Sequence, residues 1–251
     1  MKALLRKWLD RAGYVVFRKR DNASYARDGL FTLHRHPFLS DPAFQRAYAR
    51  GVRAGAGHDL GMEWRVHVAL WAARLAVSAS GDFVECGVNA GFVSSAIMES
   101  LDWGSLDRTY FLIDTFAGPV VEQFSEDEAA KLVEIRKAVA RGGYVTDMTR
   151  VIENFAEWPR VEFVQGEVPR VLPDSGVRSV AFLHIDMNCA LPEREALRHF
   201  WPLLSDGGVV LLDDYTYFGH EAQTVAIDEV AAECGASVLA LPTGQGLIVK
   251  R

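Results

Sequence analysis

Apolar and polar positions alternate along the chain in blocks that predict strands followed by helices. Five short apolar runs, each ending at a polar residue, have the length of buried strands. The segments between them carry apolar residues at spacings of three and four, which is typical of helices. Strands that alternate with helices form a parallel sheet with right-handed crossovers. The predicted strands are 83–85, 108–114, 161–165, 180–186 and 209–212, and the predicted helices are 41–53, 61–80, 148–158, 193–204 and 221–234.

The end of the chain departs from this alternation. Segments 237–241 and 247–250 are apolar, and the stretch Pro-Thr-Gly-Gln-Gly between them is too short for a parallel crossover. A loop of that length suits an antiparallel hairpin. We therefore expect an α/β, Rossmann-like fold with a seven-stranded, mostly parallel sheet that closes in a C-terminal antiparallel hairpin.

The helix predicted over 61–80 has a regular apolar pattern. Its apolar residues at spacings of three and four predict a face that packs on the core. Glu63 and Arg65 lie off that face, so they could reach a ligand. The predicted core-facing residues are Trp64, Val68, Trp71, Ala72, Leu75 and Ala79.

A glycine-containing turn follows the first predicted strand. The stretch Val-Glu-Cys-Gly-Val-Asn-Ala-Gly at 84–91 places Gly87 and Gly91 between a strand and a helix start, where backbone N–H groups can face an anion. Asp114 ends the next strand 23 positions beyond Gly91, about where nucleotide-binding α/β folds place the acid that binds ribose. The pair favours a nucleotide cofactor over a purely structural turn. The spacing is not that of a dinucleotide-binding motif, which disfavours a nicotinamide-dependent dehydrogenase.

Acidic residues recur where the predicted strands end. Glu85, Asp114, Asp186, Asp213 and Asp214 would lie along one edge of the sheet, where open α/β folds bind ligands. Asp186, Asp213 and Asp214 follow strands that should be neighbours, and their mutual repulsion would be relieved by a divalent cation with oxygen ligands, most simply Mg²⁺. Helix capping or salt bridging is the alternative for Asp213 and Asp214.

Composition and charge narrow the possible partners. The chain has 251 residues and a formal net charge of −6, which argues against a general nucleic-acid binder and suits a small neutral substrate. Its three cysteines are widely spaced, so neither a disulfide framework nor a zinc site is indicated, and a cytoplasmic location is expected. Residues 1–20 are basic; they suit a flexible arm or cap, and peripheral membrane contact is an alternative. We expect no transmembrane segment.

Two regions should lie outside the regular alternation. Residues 1–60 are predicted to form a lead-in and basic arm, and residues 61–251 the main domain. The long stretch from about 115 to 145 holds Gly118 and Gly142-Gly143 and is predicted to be an inserted lid, with a surface excursion of no function as the alternative.

Four motifs together resemble one enzyme family. The stretches VECGVNAG, FLIDTF, LHIDMN and LLDDY are similar to those of the macrocin O-methyltransferases, which are metal-dependent sugar O-methyltransferases with the class I S-adenosylmethionine-dependent fold. The resemblance covers roughly residue 64 to the C-terminus. It implies methyl transfer from S-adenosylmethionine to a hydroxyl of a sugar or glycosylated small molecule, and it makes a homo-oligomer plausible.

The resemblance also implies roles for individual residues. Glu85, Gly87 and Gly91 would line the methionine part of the cofactor, with Glu85 as the partner of its ammonium group. Asp114 would bind the ribose, and Gly166 and Glu167 would lie by the adenine. Asp186, Asp213 and Asp214 would hold Mg²⁺, to which two neighbouring sugar hydroxyls bind.

One position departs from the family pattern. Members typically carry a second Asp, the general base, where this chain has Asn188, and a neutral amide cannot accept that proton. Asp186 and His220 are the predicted catalytic residues, with His184 as a weaker candidate for the base. The alternative is a cofactor-binding protein without catalytic activity that acts as a partner or regulatory subunit.

Overall fold

The computed structural model describes residues 2–14 and 25–251, and within them the predicted alternation of strands and helices is present. The helices are α1 (Lys2–Arg11), α2 (Pro42–Ala54), α3 (Glu63–Ala76), α4 (Phe92–Leu101), α5 (Ala129–Ala140), α6 (Met148–Phe155), α7 (Ala190–Phe200) and α8 (Glu221–Glu233). The strands are β1 (Tyr25–Arg27), β2 (Leu30–Thr32), β3 (Asp82–Cys86), β4 (Tyr110–Asp114), β5 (Val161–Gln165), β6 (Val180–Ile185), β7 (Leu204–Leu212), β8 (Leu239–Ala240) and β9 (Gly246–Val249).

Seven strands form one sheet in the order β5-β4-β3-β6-β7-β9-β8. The pairs from β5 to β7 are parallel, whereas β9 is antiparallel to both β7 and β8. The mostly parallel sheet with its C-terminal hairpin is therefore confirmed. The chain runs outward in opposite directions from β3 and β6, so the crevice at their carboxyl ends is the topological switch point, where open α/β folds bind ligands.

The sheet is buried on both faces. One face packs on α2, α3, α4 and α6, and alternate strand residues such as Phe83, Phe182 and Leu211 point into that core. The other face packs on α7 and α8 around Leu183 and Leu212. Side chains alternate across a strand, so Glu85 and His184 lie on the α3 side of the sheet.

Helix α3 turns a different face to the core than its pattern predicted. Trp71 is 52% exposed and Leu75 is 37% exposed, whereas Ala73 and Ala76 are fully buried. Of the predicted core face, Ala72 and Ala79 are buried, and Trp64 and Val68 are partly buried, Val68 against the core. Small side chains on the sheet side let α3 approach the strands closely, and α3 is apolar around much of its circumference.

The lead-in contains a hairpin that the sequence pattern did not predict. Strands β1 and β2 pair antiparallel and dock on the start of α3. The Tyr25 hydroxyl donates a hydrogen bond of 2.7 Å to Glu63, and Arg27 forms an ion pair of 2.6 Å with the same carboxylate. The β1–β2 hairpin is thereby fixed next to the carboxyl edge of the sheet.

Helix α1 belongs to the segment predicted as a basic arm. Its side chains Leu5 and Trp8 are more than half exposed. Among the described residues, no helix is both long and apolar enough to span a bilayer. The basic residues Arg18, Lys19 and Arg20 lie outside the described residues, and membrane contact stays a prediction.

Candidate active site

The glycine turn after β3 is shaped by close contact with the end of β6. Gly87 has φ +90°, and a Cβ atom there would lie 1.8 Å from the carbonyl oxygen of Asp186. Gly91 has φ +79°, and a Cβ atom there would lie 2.4 Å from the ring of Phe155. Both positions therefore require glycine for reasons internal to the protein, whatever their part in ligand binding.

Asp114 ties the glycine turn to the end of β4. Its Oδ2 accepts hydrogen bonds from the backbone N–H groups of Val88 and Asn89, at 2.7 and 2.9 Å. Its Oδ1 accepts from the N–H of Phe116 at 2.8 Å. Thr115 Oγ1 lies 3.3 Å from the same oxygen, so donors of the protein already face both carboxylate oxygens, and ribose binding by Asp114 stays a prediction.

A pocket opens at the topological switch point, between the glycine turn and the segment 115–145. Gly87, Asp114, Gly166 and Asp186 all lie in its wall. Ile113, Phe124 and Val168 add apolar surface to the same wall, which suits a ligand with an aromatic ring and a polar end. The other residues predicted to bind the cofactor, Glu85, Gly91 and Glu167, are not in the pocket wall.

The predicted lid segment contributes to the wall of this pocket. Both of its ends line the wall, from Gly118 to Phe124 and again from Gly143 to Val145. The Asn89 side chain joins the glycine turn to the second end, because it donates to the Gly143 carbonyl at 3.1 Å and accepts from the Val145 N–H at 2.8 Å. That the segment moves stays a prediction.

A buried polar network ties the same segment to α7 and α8. Glu128, in the turn before α5, accepts a hydrogen bond from the Ala190 N–H at 3.0 Å and pairs with Lys131 at 3.0 Å. Lys131 donates to Gln223, and Gln223 donates to Glu193 Oε1 at 2.7 Å.

Glu193 is the most deeply buried acid of this network. Its Oε1 also accepts from the Met187 N–H at 3.1 Å, next to Asp186. Its side chain is 2% exposed. Burial raises the pKa of Glu193 to about 8.

Behind the pocket, His184 lies between two acids. Its Nδ1 is 2.8 Å from Glu85 Oε1, and its Nε2 is 3.7 Å from Asp213 Oδ1, which is too far for a hydrogen bond. Burial alone would lower the pKa of His184, but the negative charges of Asp213 and Glu85 raise it to about 10. His184 Nε2 and Glu85 Oε2 are buried and lack hydrogen-bond partners within the described parts of the chain.

We call the cluster of Asp186, Asp213 and Asp214 the acidic centre. Arg65, on α3, extends its side chain into this centre. Its Nη1 lies 2.9 Å from Asp213 Oδ2 and 3.0 Å from Asp214 Oδ1, and its Nε lies 3.2 Å from Asp28 Oδ2. Burial alone would raise the pKa of Asp213, but the Arg65 guanidinium holds it below its usual range. The sequence indicated only that Arg65 could reach a ligand; its partners are three acids of the protein.

Two residues next to the acidic centre were not predicted from the sequence to belong to the site. Gln245, in the loop between β8 and β9, donates to Asp213 Oδ1 at 2.8 Å and to the Arg65 carbonyl at 3.4 Å. Asp28 lies in the turn of the β1–β2 hairpin and accepts a hydrogen bond of 3.2 Å from the Tyr217 hydroxyl. The apolar pattern around each residue is that of an ordinary surface turn.

Asp186 is the acid of the centre that lies in the wall of the switch-point pocket. It follows β6 directly, is partly exposed, and accepts a hydrogen bond of 3.2 Å from Asn188 Nδ2. Burial, together with the charges of Asp213 and Asp214, raises the pKa of Asp186 above its usual range. Asn188 lies in the same pocket wall, so the amide that replaces the family's second Asp faces the same space.

His220 lies at the other end of the acidic centre. Its Nδ1 is 3.3 Å from Asp214 Oδ2, and burial lowers the pKa of His220, so the ring is neutral near pH 7. It is not part of the pocket wall. Its role as a base stays a prediction.

The fit of Mg²⁺ depends on which aspartate oxygens remain available. Asp213 Oδ2 pairs with Arg65, and Asp213 Oδ1 accepts a hydrogen bond from Gln245. Asp214 Oδ1 also pairs with Arg65, and Asp186 Oδ1 accepts a hydrogen bond from Asn188. Mg²⁺ requires near-octahedral oxygen ligation. With Arg65 in this position, Asp186 Oδ2 and Asp214 Oδ2 remain for an ion, whereas both Asp213 oxygens are held by Arg65 and Gln245, so the three aspartates cannot all ligate Mg²⁺.

A second trio has atoms close enough to share an ion. His184, Asp186 and Asp213 each offer one ligand atom within 4.8 Å of the others. Imidazole nitrogen suits transition metals better than Mg²⁺. The predicted Mg²⁺ site thus stays a prediction, and the chemistry proposed below has no step through a metal.

Comparison with known proteins places this site in context. Residues 69–233 match the Macrocin-O-methyltransferase (TylF) family. The chain is 29% identical over 147 residues to the 8-demethyl-8-(2,3-dimethoxy-alpha-L-rhamnosyl)-tetracenomycin-C 4'-O-methyltransferase of Streptomyces olivaceus, covering 56% of this chain and 55% of that protein. It is 28% identical over 145 residues to the mycinamicin III 3''-O-methyltransferase of Micromonospora griseorubida, covering 54% and 55%. The chain thus spans about half the length of these curated relatives.

Solved structures share the architecture. The O-methyltransferase NovP superposes with a TM-score of 0.64 at 22% identity, covering 74% of this chain and 79% of that one. The calicheamicin methyltransferase CalS11 superposes with a TM-score of 0.57 at 14% identity, covering 86% and 94%. At these identities the likeness concerns the fold, and it confirms the expected class I methyltransferase fold.

Proposed function

Because this chain belongs to the macrocin O-methyltransferase family, we propose that it transfers a methyl group from S-adenosylmethionine to a hydroxyl of a sugar or glycosylated small molecule. One observation carries the proposal: Asp186 lies in the wall of the switch-point pocket and also belongs to the acidic centre. A cofactor in that pocket and an acceptor over the acids would meet at this carboxylate. The relatives named above act on sugar-bearing compounds, which suggests the acceptor class.

The pocket suits S-adenosylmethionine in its chemistry. The apolar wall of Ile113, Phe124 and Val168 would hold the adenine, and the backbone at Gly87 would lie along the methionine part. When bound, the cofactor supplies an electrophilic methyl group. The segment 115–145 would exclude water from the reaction, a role supported by the presence of both of its ends in the pocket wall.

Asp186 is the residue to which we assign the proton. A hydroxyl is a poor nucleophile until it loses its proton, and a carboxylate with a raised pKa is a better base. As the acceptor oxygen bonds to the methyl carbon, Asp186 accepts the hydroxyl proton and the carbon–sulfur bond breaks. Asn188, beside it, would orient the acceptor through its amide. His220 and His184 are the alternative bases that follow from the sequence.

Mg²⁺ dependence has the three clustered aspartates as its support, and Arg65 among them weighs against it. Cytoplasmic location and homo-oligomer formation stay predictions.

The test separates binding from chemistry. We expect calorimetric titration to show S-adenosylmethionine binding, and labelled cofactor to methylate at least one glycoside in a panel. Asp186→Asn should lower kcat by about 10²-fold or more while the cofactor affinity changes little. Asp206→Asn, which changes an exposed aspartate of β7, is the matched control. A chain that does not bind the cofactor overturns the proposal, and binding without turnover on any glycoside favours the non-catalytic alternative.

A further inference from the structure

Arg65 supplies positive charge at the place where the clustered aspartates require it. We propose that Arg65 competes with divalent metal ions for Asp213 and Asp214, so that the guanidinium keeps the acidic centre nearly free of metal. The acidic centre is also the place to which we assign methyl transfer, but the competition between Arg65 and a metal ion does not require bound cofactor or acceptor.

The position of one nitrogen atom makes the competition direct. Arg65 Nη1 lies between the two carboxylates, 2.9 Å from Asp213 Oδ2 and 3.0 Å from Asp214 Oδ1. A metal ion that bridges the same two oxygens would occupy the space next to Nη1. Two cations at that separation, in a site shielded from water, repel each other strongly. Metal binding to the pair therefore requires the guanidinium to leave.

Other contacts hold the guanidinium where it is. Its Nε is 3.2 Å from Asp28 Oδ2, and its Cζ lies 5.0 Å from the centre of the Tyr217 ring, within cation–π range. The Arg65 side chain is 12% exposed. Moving it away would leave Asp28 without this ion pair and break the contact with Tyr217. These losses add to the cost of loading a metal.

The remaining ligand atoms offer a metal little compensation. Asp213 Oδ1 accepts from Gln245, and Asp186 Oδ1 accepts from Asn188. Asp214 Oδ2 lies 3.3 Å from His220 Nδ1, and the unpartnered His184 Nε2 faces Asp213 Oδ1, the oxygen to which Gln245 donates.

The experiment is a Mn²⁺ titration of the full chain, followed by electron paramagnetic resonance and without cofactor or acceptor. We expect wild type to bind Mn²⁺ weakly and Arg65→Gln to bind it about tenfold or more tightly, because the competing charge is gone. Arg65→Lys keeps the charge and should bind as weakly as wild type. Arg27→Gln is the matched control: it removes the same charge beside Glu63, away from the aspartates, and should leave the affinity unchanged.

Two results would overturn the proposal. One is stoichiometric Mn²⁺ binding by wild type at micromolar protein, and the other is a folded Arg65→Gln variant whose affinity equals that of wild type. Circular dichroism establishes whether each variant folds. If Arg65→Gln does not fold, the wild-type and Arg65→Lys titrations decide, since tight binding by either contradicts the competition. Failure of methyl transfer would leave these affinities unaffected, so the two proposals fail separately.

Discussion

Replacing Glu193 by glutamine should change how the stability of this protein depends on pH. Burial raises the pKa of Glu193 from 4.5 to about 8, so the folded state favours the neutral acid. The shift of roughly 3.5 pH units corresponds to about 5 kcal/mol, at 1.36 kcal/mol per unit. This stability is fully present below pH 4.5, where the unfolded chain also carries the proton. It is lost as the pH rises toward 8, by about 1.4 kcal/mol per unit.

The Glu193→Gln variant keeps a neutral side chain of the same shape, whose carbonyl can still accept from Met187 and Gln223. The free energy of unfolding, measured in urea at pH 5 and pH 8.5, should therefore rise by about 4 kcal/mol for the variant relative to wild type over that range. Glu195→Gln is the matched control on the same helix. The Glu195 carboxylate is partly exposed and pairs with Arg198. The difference in free energy of unfolding between Glu195→Gln and wild type should therefore be the same at both pH values. Parallel curves for wild type and Glu193→Gln would refute the buried neutral acid.

Two further predictions concern the glycine turn. Gly87→Ala should lower the free energy of unfolding by about 3 kcal/mol or more, because its Cβ would collide with the Asp186 carbonyl at a positive φ. The control is Gly104→Ala, which has open space around its Cβ and should lower the free energy of unfolding by less than about 1 kcal/mol. Equal unfolding midpoints of the two variants in urea would contradict this prediction. The Asn89→Asp variant loses the hydrogen-bond donor to the Gly143 carbonyl but keeps the acceptor for the Val145 N–H. Amide hydrogen exchange at residues 143–145 should therefore accelerate about tenfold. Unchanged exchange there would show that Asn89 does not hold the segment 115–145 in place.

The acidic centre illustrates what the apolar pattern can and cannot predict. The runs that form β6 and β7 are buried on both faces, so their positions and their order along the sheet edge were predictable. Because parallel strands end at one edge, the clustering of Asp186, Asp213 and Asp214 followed from the same pattern. The charge that compensates them did not, since Arg65 comes from a helix for which the apolar pattern predicted a different core face.

The packing of α3 shows why the core-facing side of this helix could not be predicted from its apolar pattern. Its large residue Trp71 is more than half exposed, while the alanines Ala72, Ala73 and Ala76 fill the narrow space against the sheet. A pattern that ranks positions by hydrophobicity places the large residues inside. Close packing of a helix on a sheet selects for small ones, and only the assembled structure shows which rule applies. The three-residue strands β1 and β2 were missed for a different reason, because they are too short for an alternating pattern to be distinguished.

The β1–β2 hairpin has a consequence for where this chain can be shortened. A fragment that begins at residue 61, the start of the predicted main domain, would lack Asp28 and Tyr25, which contact Arg65 and Glu63. The guanidinium would lose one of its three carboxylate partners and would be exposed to water on that side. Residues 25–32 are therefore part of the smallest unit in which the acidic centre keeps its shape, although they lie outside the segment matched by the family.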